Sequence, residues 1–511
     1  MPQFQVKVKW SKELFPDVQV NTDEEPLVLK AQIFALTGVE PHRQKIMLKG
    51  ATIKDDTTWG ANVLKGLKDG ATLLLMGSKE EDIPTQPVEK TKFVEDMDES
   101  EIQSALAMPA GLQNLGNTCY MNATVQCLKT VPEFKTALNK YSESVSFNSD
   151  VTTHPQSITA SLRDLMNTMD KGQTLPPLVL LQVLHRAFPN FAEKSEHGGY
   201  QQQDANECWV EIMNMVKQKL PSEDNAKFSS AVDQYFGLVF DTEIKCIESE
   251  DEPVTKSQER FLQYNCYIDK DVKFLASGLK NRLQESMNKH STFLDRDAEY
   301  VKTLKVSRLP GYLTVQMVRF QYKQRDAVNA KILKDIKFPL LLDTFELCSE
   351  ELQQKLVPMR KKFKDYEDKI VLEGDKKKGL GKEASLKKGR EESEDMACEP
   401  YDFSEDPGSN NSGYYELQAV LTHKGRSSNS GHYVAWVKQK GDTWMECNDD
   451  DIRPIHVDDV LKLSGGGDWH TAYLLLYGPR KLPISEEDKT KSEEETAKSA
   501  GETADKPMET N

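Results

Sequence analysis

The chain has 511 residues, enough for two to four domains of ordinary size and too many for one small globule. Its 66 Lys and Arg face 82 Asp and Glu, and a net charge of −16 repels phosphate backbones, which excludes nucleic acid as the default partner. Hydrophobic residues make up only 38% and charged residues reach 29%, so part of the chain is expected to stay unpacked. No run of about 18 apolar residues occurs, and the start, MPQFQVKVKW, carries charges where a secretory peptide would be apolar. A cytoplasmic protein with no integral membrane segment is expected. The eight cysteines are irregularly spaced and form no C-x-x-C pair, which reads as reduced thiols; no metal and no cofactor are implied.

In chain order, FQVKVKW alternates as a strand does, and Val18-Gln19-Val20 follows a turn containing Pro16. TDEEPLVLKAQIFALTG predicts a helix, capped by Thr22 or Asp23, with Pro26 in its first turn and Gly38 ending it. QKIMLKG and ATLLLMG supply further strands, giving strand, strand, helix, strand, strand over residues 1–78, a small α+β unit. This order, the length and QKIMLKG followed by a turn resemble the ubiquitin-like domains, whose fold is the β-grasp. The resemblance implies a docking strand at Ile46, Met47 and Leu48; the plainer reading makes at least two of these three core. The unit runs on as MGSKEED without a Gly-Gly end, as a fused module does and a ubiquitin precursor does not.

Residues 79–103 are acidic, with two prolines, and read as a flexible linker. Mixed helix and strand signals fill 104–480, interrupted at 358–412 by charged and Gly/Ser/Asn-rich stretches that read as an insert, one helix followed by disorder. Its clusters Lys376-Lys377-Lys378 and Lys387-Lys388 read as a solvated loop, with nuclear import as the alternative. Residues 481–511 hold nine acids and five lysines and read as a disordered tail.

The segment GLQNLGNTCYMNATVQCLKTVPEF, residues 111–134, predicts a loop and then a helix capped by Asn117 or Thr118, with Cys119 in the first turn. Unpaired N–H groups and the helix dipole favour thiolate there, and thiolate is the nucleophilic form. Asn114 can offer its amide to a carbonyl oxygen beside the Cys119 N–H, as an oxyanion donor. Cys127, about two turns along, reads as packing. Further on, 414–451 predicts an apolar strand, a Gly/Ser-rich loop, the strand HYVAWV, a Gly-Asp turn and the strand WMEC. Folding these strands together brings His432 beside Asn448 across sixteen positions. His432 is the candidate general base and acid, Asn448 its orienter, and Asp449 a supplement or replacement for Asn448. His423 is the rival base.

G-L-x-N-L-G-N-T-C-Y-M-N around Cys119, with G-H-Y at His432, is similar to the ubiquitin-specific proteases around their nucleophile and base. GGYQQQDANECW, 198–209, resembles that family's Q-Q-D-A-H-E-F, with Asn206 for the usual His and Cys208 for the usual Phe. There Gln202, Gln203, Asp204 and Glu207 are candidate residues of the substrate-tail channel, and Asp204 can also cap a helix. LPGYLTVQMVRF, with Arg319 near its end, and GGGDWHTAYLLLYGPR resemble the family's core strands. The resemblance implies a papain-like fold of fingers, palm and thumb over 104–480, and a thiol hydrolase cleaving the bond after the C-terminal Gly of ubiquitin on conjugates. Fused to a ubiquitin-like domain, this arrangement resembles the proteasome-associated members. That implies docking on the proteasome regulatory particle and surface loops that block the tail channel, here 424–431, with Ser427, Ser428, Ser430 and the adjacent Tyr433, and 321–331. A catalytically weak ubiquitin-binding adaptor is the alternative, permitted by Asn448 and the incomplete Gln-Gln-Asp segment.

Overall fold

The structure, a computed structural model, describes residues 3–11, 13–54, 58–77, 108–148, 150–195, 198–222, 227–323, 328–378, 396–427, 430–467 and 469–484, without the side chains of 321–329 and 373–378. Contacts divide the chain into two units, residues 1–99 and 100–511. The linker 79–103, Lys387, Lys388 and Ser428 lie outside the described residues.

In the first unit the alternation of FQVKVKW forms β1 (Gln3–Trp10), which turns Val6 and Val8 inward and its lysines outward. β2 (Glu13–Asn21) returns antiparallel, and α1 (Pro26–Thr37) follows, ended by Gly38 at φ 74°, whose N–H bonds Phe34 O at 2.8 Å. Glu25 precedes the helix and no side chain caps it, so neither Thr22 nor Asp23 has the expected role. β3 (Lys45–Leu48), β4 (Ala51–Ile53), α2 (Ala61–Gly66) and β5 (Thr72–Met76) complete a sheet of order β2-β1-β5-β3-β4, with β1 and β5 parallel at its centre. This is the β-grasp arrangement. β4 escaped the sequence reading because three residues show no period. Ile46 and Leu48 are core, 0% and 2% exposed, which corrects their assignment to a docking surface. Alternation leaves only Met47 on the outer face, paired with the exposed Leu74.

In the second unit six helices form one lobe: α3 (Cys119–Lys129), α4 (Pro132–Lys140), α5 (His154–Met169), α6 (Leu178–Ala187), α7 (Ala205–Lys217) and α8 (Ala231–Phe236). A four-stranded sheet of order β7-β6-β10-β9 stands as the fingers, built from β6 (Leu238–Cys246), β7 (Thr255–Phe261), β9 (Gln284–Ser291) and β10 (Arg296–Arg308). Between these lie β8 (Tyr264–Tyr267) and α9 (Leu275–Lys280). The palm contains β11 (Leu313–Val318), β12 (Phe320–Lys323), β13 (Val328–Lys331) and β14 (Leu341–Asp343). After α10 (Glu350–Lys378) it continues with β15 (Tyr414–Ser427), β16 (Ser430–Lys438), β17 (Thr443–Asn448), β18 (Asp451–His456), α11 (Val457–Leu461) and β19 (Thr471–Pro479). Its main path is β18-β17-β16-β15-β19-β11-β8. Every residue of TAYLLLYGP in β19 is buried, as a central strand covered on both faces requires. One apolar cluster joins α3 and α7 to the near face of this sheet, and a second covers the far face.

The expected insert needs correction. α10 begins at Glu350, eight residues before the expected boundary, and buries Leu352, Leu356 and Phe363. Residues 396–412 pack into the unit: Asp406 takes Arg308 Nε at 3.0 Å, and Ser409, Asn410, Asn411 and Ser412 are all buried. DPGSNNSG has loop composition, yet its polar groups are satisfied locally, Asn410 Oδ1 accepting from Ser412 N at 2.9 Å and Gly413 N at 2.8 Å. Residues 379–395 lie outside the described residues. The tail also starts later than expected, since Leu482 is 6% exposed and Ile484 N bonds Ala397 O at 2.8 Å; 485–511 lie outside the described residues. Among the described residues no helix is long and apolar enough to cross a membrane.

Candidate active site

The loop Gly111–Thr118 turns sharply at Gly116 (φ 102°) and Asn117 (φ 55°), and α3 opens on Cys119 itself. Thr118 precedes the helix without capping it, because its hydroxyl turns back to accept from Leu115 N at 2.9 Å. The first N–H groups of α3 therefore keep no intrahelical partner, and the positive end of the dipole lies at the sulfur. Cys119 is 2% exposed. Its sulfur meets Gln202 Nε2 at 3.3 Å and the main-chain N–H of Tyr433 at 3.5 Å. Cys127 is buried and its thiol is pushed well above the usual range by burial, as packing requires.

β15 and β16 pair with Lys424 opposite His432, and β16 pairs with β17 up to Ala435 and Cys447. That ladder folds the sixteen-position gap so that His432 Nε2 and Asn448 Oδ1 lie 2.6 Å apart. The amide oxygen can only accept, so Nε2 carries a hydrogen and Nδ1 is left for the sulfur. The imidazole is raised to about 9, first by its hydrogen bond to Cys119 and then, against desolvation, by Asn448. α3 and β16 thus bring a helix-tip thiol and an oriented imidazole together from opposite lobes. The rival His423 is fully buried, depressed to about 3 by burial and the Lys331 charge, and holds Ser430 O at 3.2 Å.

Asn114 and Asp449 form one unit. Asn114 Nδ2 donates to Asp449 Oδ2 at 2.9 Å, while Asn114 Oδ1 accepts from Gly116 N at 3.0 Å. Asp449 Oδ1 accepts from Asn122 Nδ2 at 2.8 Å, and its carbonyl takes Leu112 N at 2.9 Å. Asp449 sits at φ 56°, a left-handed position that its short polar side chain tolerates. It faces the Asn114 loop, whereas Asn448 hydrogen-bonds His432, so Asp449 acts on the imidazole only through space, as the smallest of the influences that raise it. Asn122 was not singled out from the sequence; its place one turn after Cys119, on the face toward the loop, was the available signal.

Of the Gln-Gln-Asp segment only Gln202 reaches the sulfur. Gln203 Nε2 bonds Asn190 O at 2.9 Å, and Glu207, held up by burial, accepts from Asn190 Nδ2 at 2.9 Å. Asp204 caps α7 through Asn206 N at 2.7 Å and accepts Tyr473 OH at 2.8 Å, a partner the sequence did not reveal. Tyr433 is 1% exposed with its ring in the core, which corrects its expected place in the channel: strand alternation turns the ring inward and leaves only its N–H at the site. Ser427 and Ser430 bond each other at 2.9 Å across the 424–431 hairpin. Ala330 of β13 pairs with Ser427 of β15, and Lys331 Nζ bonds His423 O, so both expected gating hairpins share one sheet edge.

Helical and sheet lobes that each supply one half of a thiol–imidazole pair define a papain-like cysteine peptidase, here carrying a β-grasp module. The profile of the ubiquitin carboxyl-terminal hydrolase family matches residues 110–477, and that of the ubiquitin family matches 4–80. Ubiquitin carboxyl-terminal hydrolase 6 of Arabidopsis thaliana is 40% identical over 484 residues, covering 93% of this chain and 98% of its own. Ubiquitin carboxyl-terminal hydrolase 14 of Caenorhabditis elegans is 40% identical over 477 residues, 93% of each chain. Ubiquitin carboxyl-terminal hydrolase 6 of Schizosaccharomyces pombe is 35% identical, covering 92% and 98%. The chain belongs to the ubiquitin carboxyl-terminal hydrolase family and is a cysteine-type deubiquitinating hydrolase with an N-terminal ubiquitin-like domain.

Proposed function

We propose that this hydrolase works at the proteasome, removing ubiquitin from conjugates held there, with its ubiquitin-like domain docked on the regulatory particle through the Met47 face. The observation that carries the catalytic half is the contact of His432 with both Cys119 and Asn448. The Cys119 thiolate attacks the carbonyl of the last glycine, and the oxygen that gains charge is met by N–H groups at the start of α3 and the second Nδ2 hydrogen of Asn114. His432 gives a proton to the departing lysine amine, leaving a thioester on Cys119. It then takes one from water, whose hydroxide adds to the thioester carbonyl; the C–S bond breaks, releasing ubiquitin with a free carboxyl end and restoring the thiolate beside the protonated imidazole. A Gly-Gly end has no side chains to clash, which suits a sulfur so little exposed. The partner half rests on the fused domain with its half-buried Met47 beside the exposed Leu74, and on relatives that share both units. On this reading the protein acts in the cytoplasm, its eight cysteines being free thiols.

Ubiquitin bearing a C-terminal electrophile should label the chain, Cys119→Ala should abolish labelling, and added proteasome should increase it. Labelling that survives Cys119→Ala removes the nucleophile; a rate indifferent to proteasome removes the docking.

A further inference from the structure

Gln202 is 9% exposed, and its amide lies against the Cys119 sulfur, Nε2 at 3.3 Å and Oε1 at 3.7 Å. The neighbouring polar side chains are committed elsewhere, Gln203 to Asn190 O and Asp204 to the α7 cap and Tyr473. An amide can serve either state of a thiol, accepting from S–H through oxygen or donating to S⁻ through nitrogen, and here nitrogen is the nearer atom. Gln202 stands just before α7, whose Asp204 cap and contact with α3 hold its backbone in place.

We propose that Gln202 is a positioning residue that stabilises the Cys119 thiolate of the empty enzyme through its Nε2–H, and releases that donor to a main-chain carbonyl of the ubiquitin tail when the tail enters. The inference rests on Cys119 being the nucleophile. In the resting site the sulfur then has three donors: the Tyr433 N–H, fixed in the backbone of β16; the His432 ring, held from its other side by Asn448 at 2.6 Å; and the Gln202 amide, whose hydrogen bonds go to the sulfur itself. Entry of substrate removes one of them as the carbonyl arrives, so the sulfur becomes a stronger nucleophile at that moment.

The test is the pH profile of alkylation. Full-length chain carrying Cys398→Ser, which removes the one cysteine that is not buried, is treated with iodoacetamide from about pH 5 to about pH 10, and modification of Cys119 is read by peptide mass. Gln202→Leu should move the midpoint upward and slow alkylation about tenfold at the acid end, the worth of one hydrogen bond to a charged group. At the alkaline end, where the sulfur ionises unaided, the rates should converge. Gln202→Glu, close in shape and certain to retain the packing volume, should shift the midpoint further by placing a carboxylate beside the sulfur. If Gln202→Leu does not fold, Gln202→Met, unbranched and of similar length, removes the donor without adding charge and is read in its place. A midpoint unmoved in the folded variant, or a loss equal at all pH values, overturns the inference. A parent chain that still hydrolyses a ubiquitin amide after Cys119→Ala instead overturns the nucleophile assignment.

Discussion

The carboxylate of Asp449 holds the side-chain amide of Asn114 at 2.9 Å across 335 positions of sequence, and this contact sets where that amide, the proposed oxyanion donor, points. Without it Asn114 would sample other rotamers on an exposed loop. An oxyanion donor is worth about 2.7–4 kcal/mol, so Asn114→Ala should lower kcat by about 10²–10³. Asp449→Ala should lower it by about tenfold, and the double substitution should cost no more than Asn114→Ala alone, since both act through one group. Full additivity in that cycle would separate the two roles.

The His432–Asn448 contact predicts the alkaline limb of activity. His432 is raised to about 9, so the imidazolium that protonates the leaving amine is lost as pH rises through that value, and kcat/KM should fall there. The same raised value contributes stability that is fully present below the unfolded value near 6.5 and is lost as pH rises through about 9. Asn448→Ala removes an accepting oxygen that favours the protonated ring and fixes its tautomer. It should move the limb to lower pH and reduce turnover by about 10²–10⁴. A limb that stays in place in this variant, measured on a fluorogenic ubiquitin amide, would show that Asn448 does not act on His432.

His423 carries the opposite sign. Buried and depressed to about 3, it must stay neutral in the folded state, so its contribution is present above about pH 6.5 and is lost as pH falls toward 3. His423→Phe retains an aromatic ring beside Tyr433, 4.7 Å away, and removes the titration. Urea unfolding at about pH 7 and about pH 4 should show a smaller acid loss in the variant, by up to roughly 3 kcal/mol. An unchanged difference would place the acid sensitivity elsewhere.

Lys331 joins the two hairpins through His423 O, beside the Ala330–Ser427 pairing. Lys331→Met keeps the stem and removes the donor. If the hairpins restrain access to Cys119, the electrophilic ubiquitin probe should react faster with this variant, by about tenfold at most, one charge-assisted hydrogen bond having been removed. A rate that falls or stays level speaks against restraint by this joint.

In the β-grasp unit neighbouring residues separate stability from docking. Ile46→Ala opens a cavity in a fully buried position and should destabilise that unit by about 2–5 kcal/mol, seen as faster hydrogen exchange over residues 3–77. Met47→Glu lies on the outer face, and should leave exchange unchanged while abolishing the increase in labelling that added proteasome brings.

Local chemistry was legible wherever it is encoded locally. Cys119 at a helix tip, the β15–β16–β17 strands and the turn at Gly441 all follow from short patterns, because helix starts and strand alternation depend on near neighbours. The pairing of His432 with Asn448 was also within reach, since one tight hairpin converts sixteen positions into adjacency. The insert was misjudged for the same reason: composition describes how polar a segment is, not where its hydrogen bonds end. Residues 396–412 find theirs on Arg308, on one another and on the backbone nearby.

The chain itself therefore determined the reaction class and singled out the candidate thiol, imidazole and amide that the fold brings together. Only the tertiary structure decided that Asp449 serves Asn114, that Gln202 faces the sulfur while Gln203 and Glu207 do not, and that Tyr433 contributes a main-chain N–H from a buried ring. Those outcomes turn on which way a side chain faces once two lobes meet. That direction is set by packing between segments hundreds of residues apart, for which one-dimensional spacing has no measure.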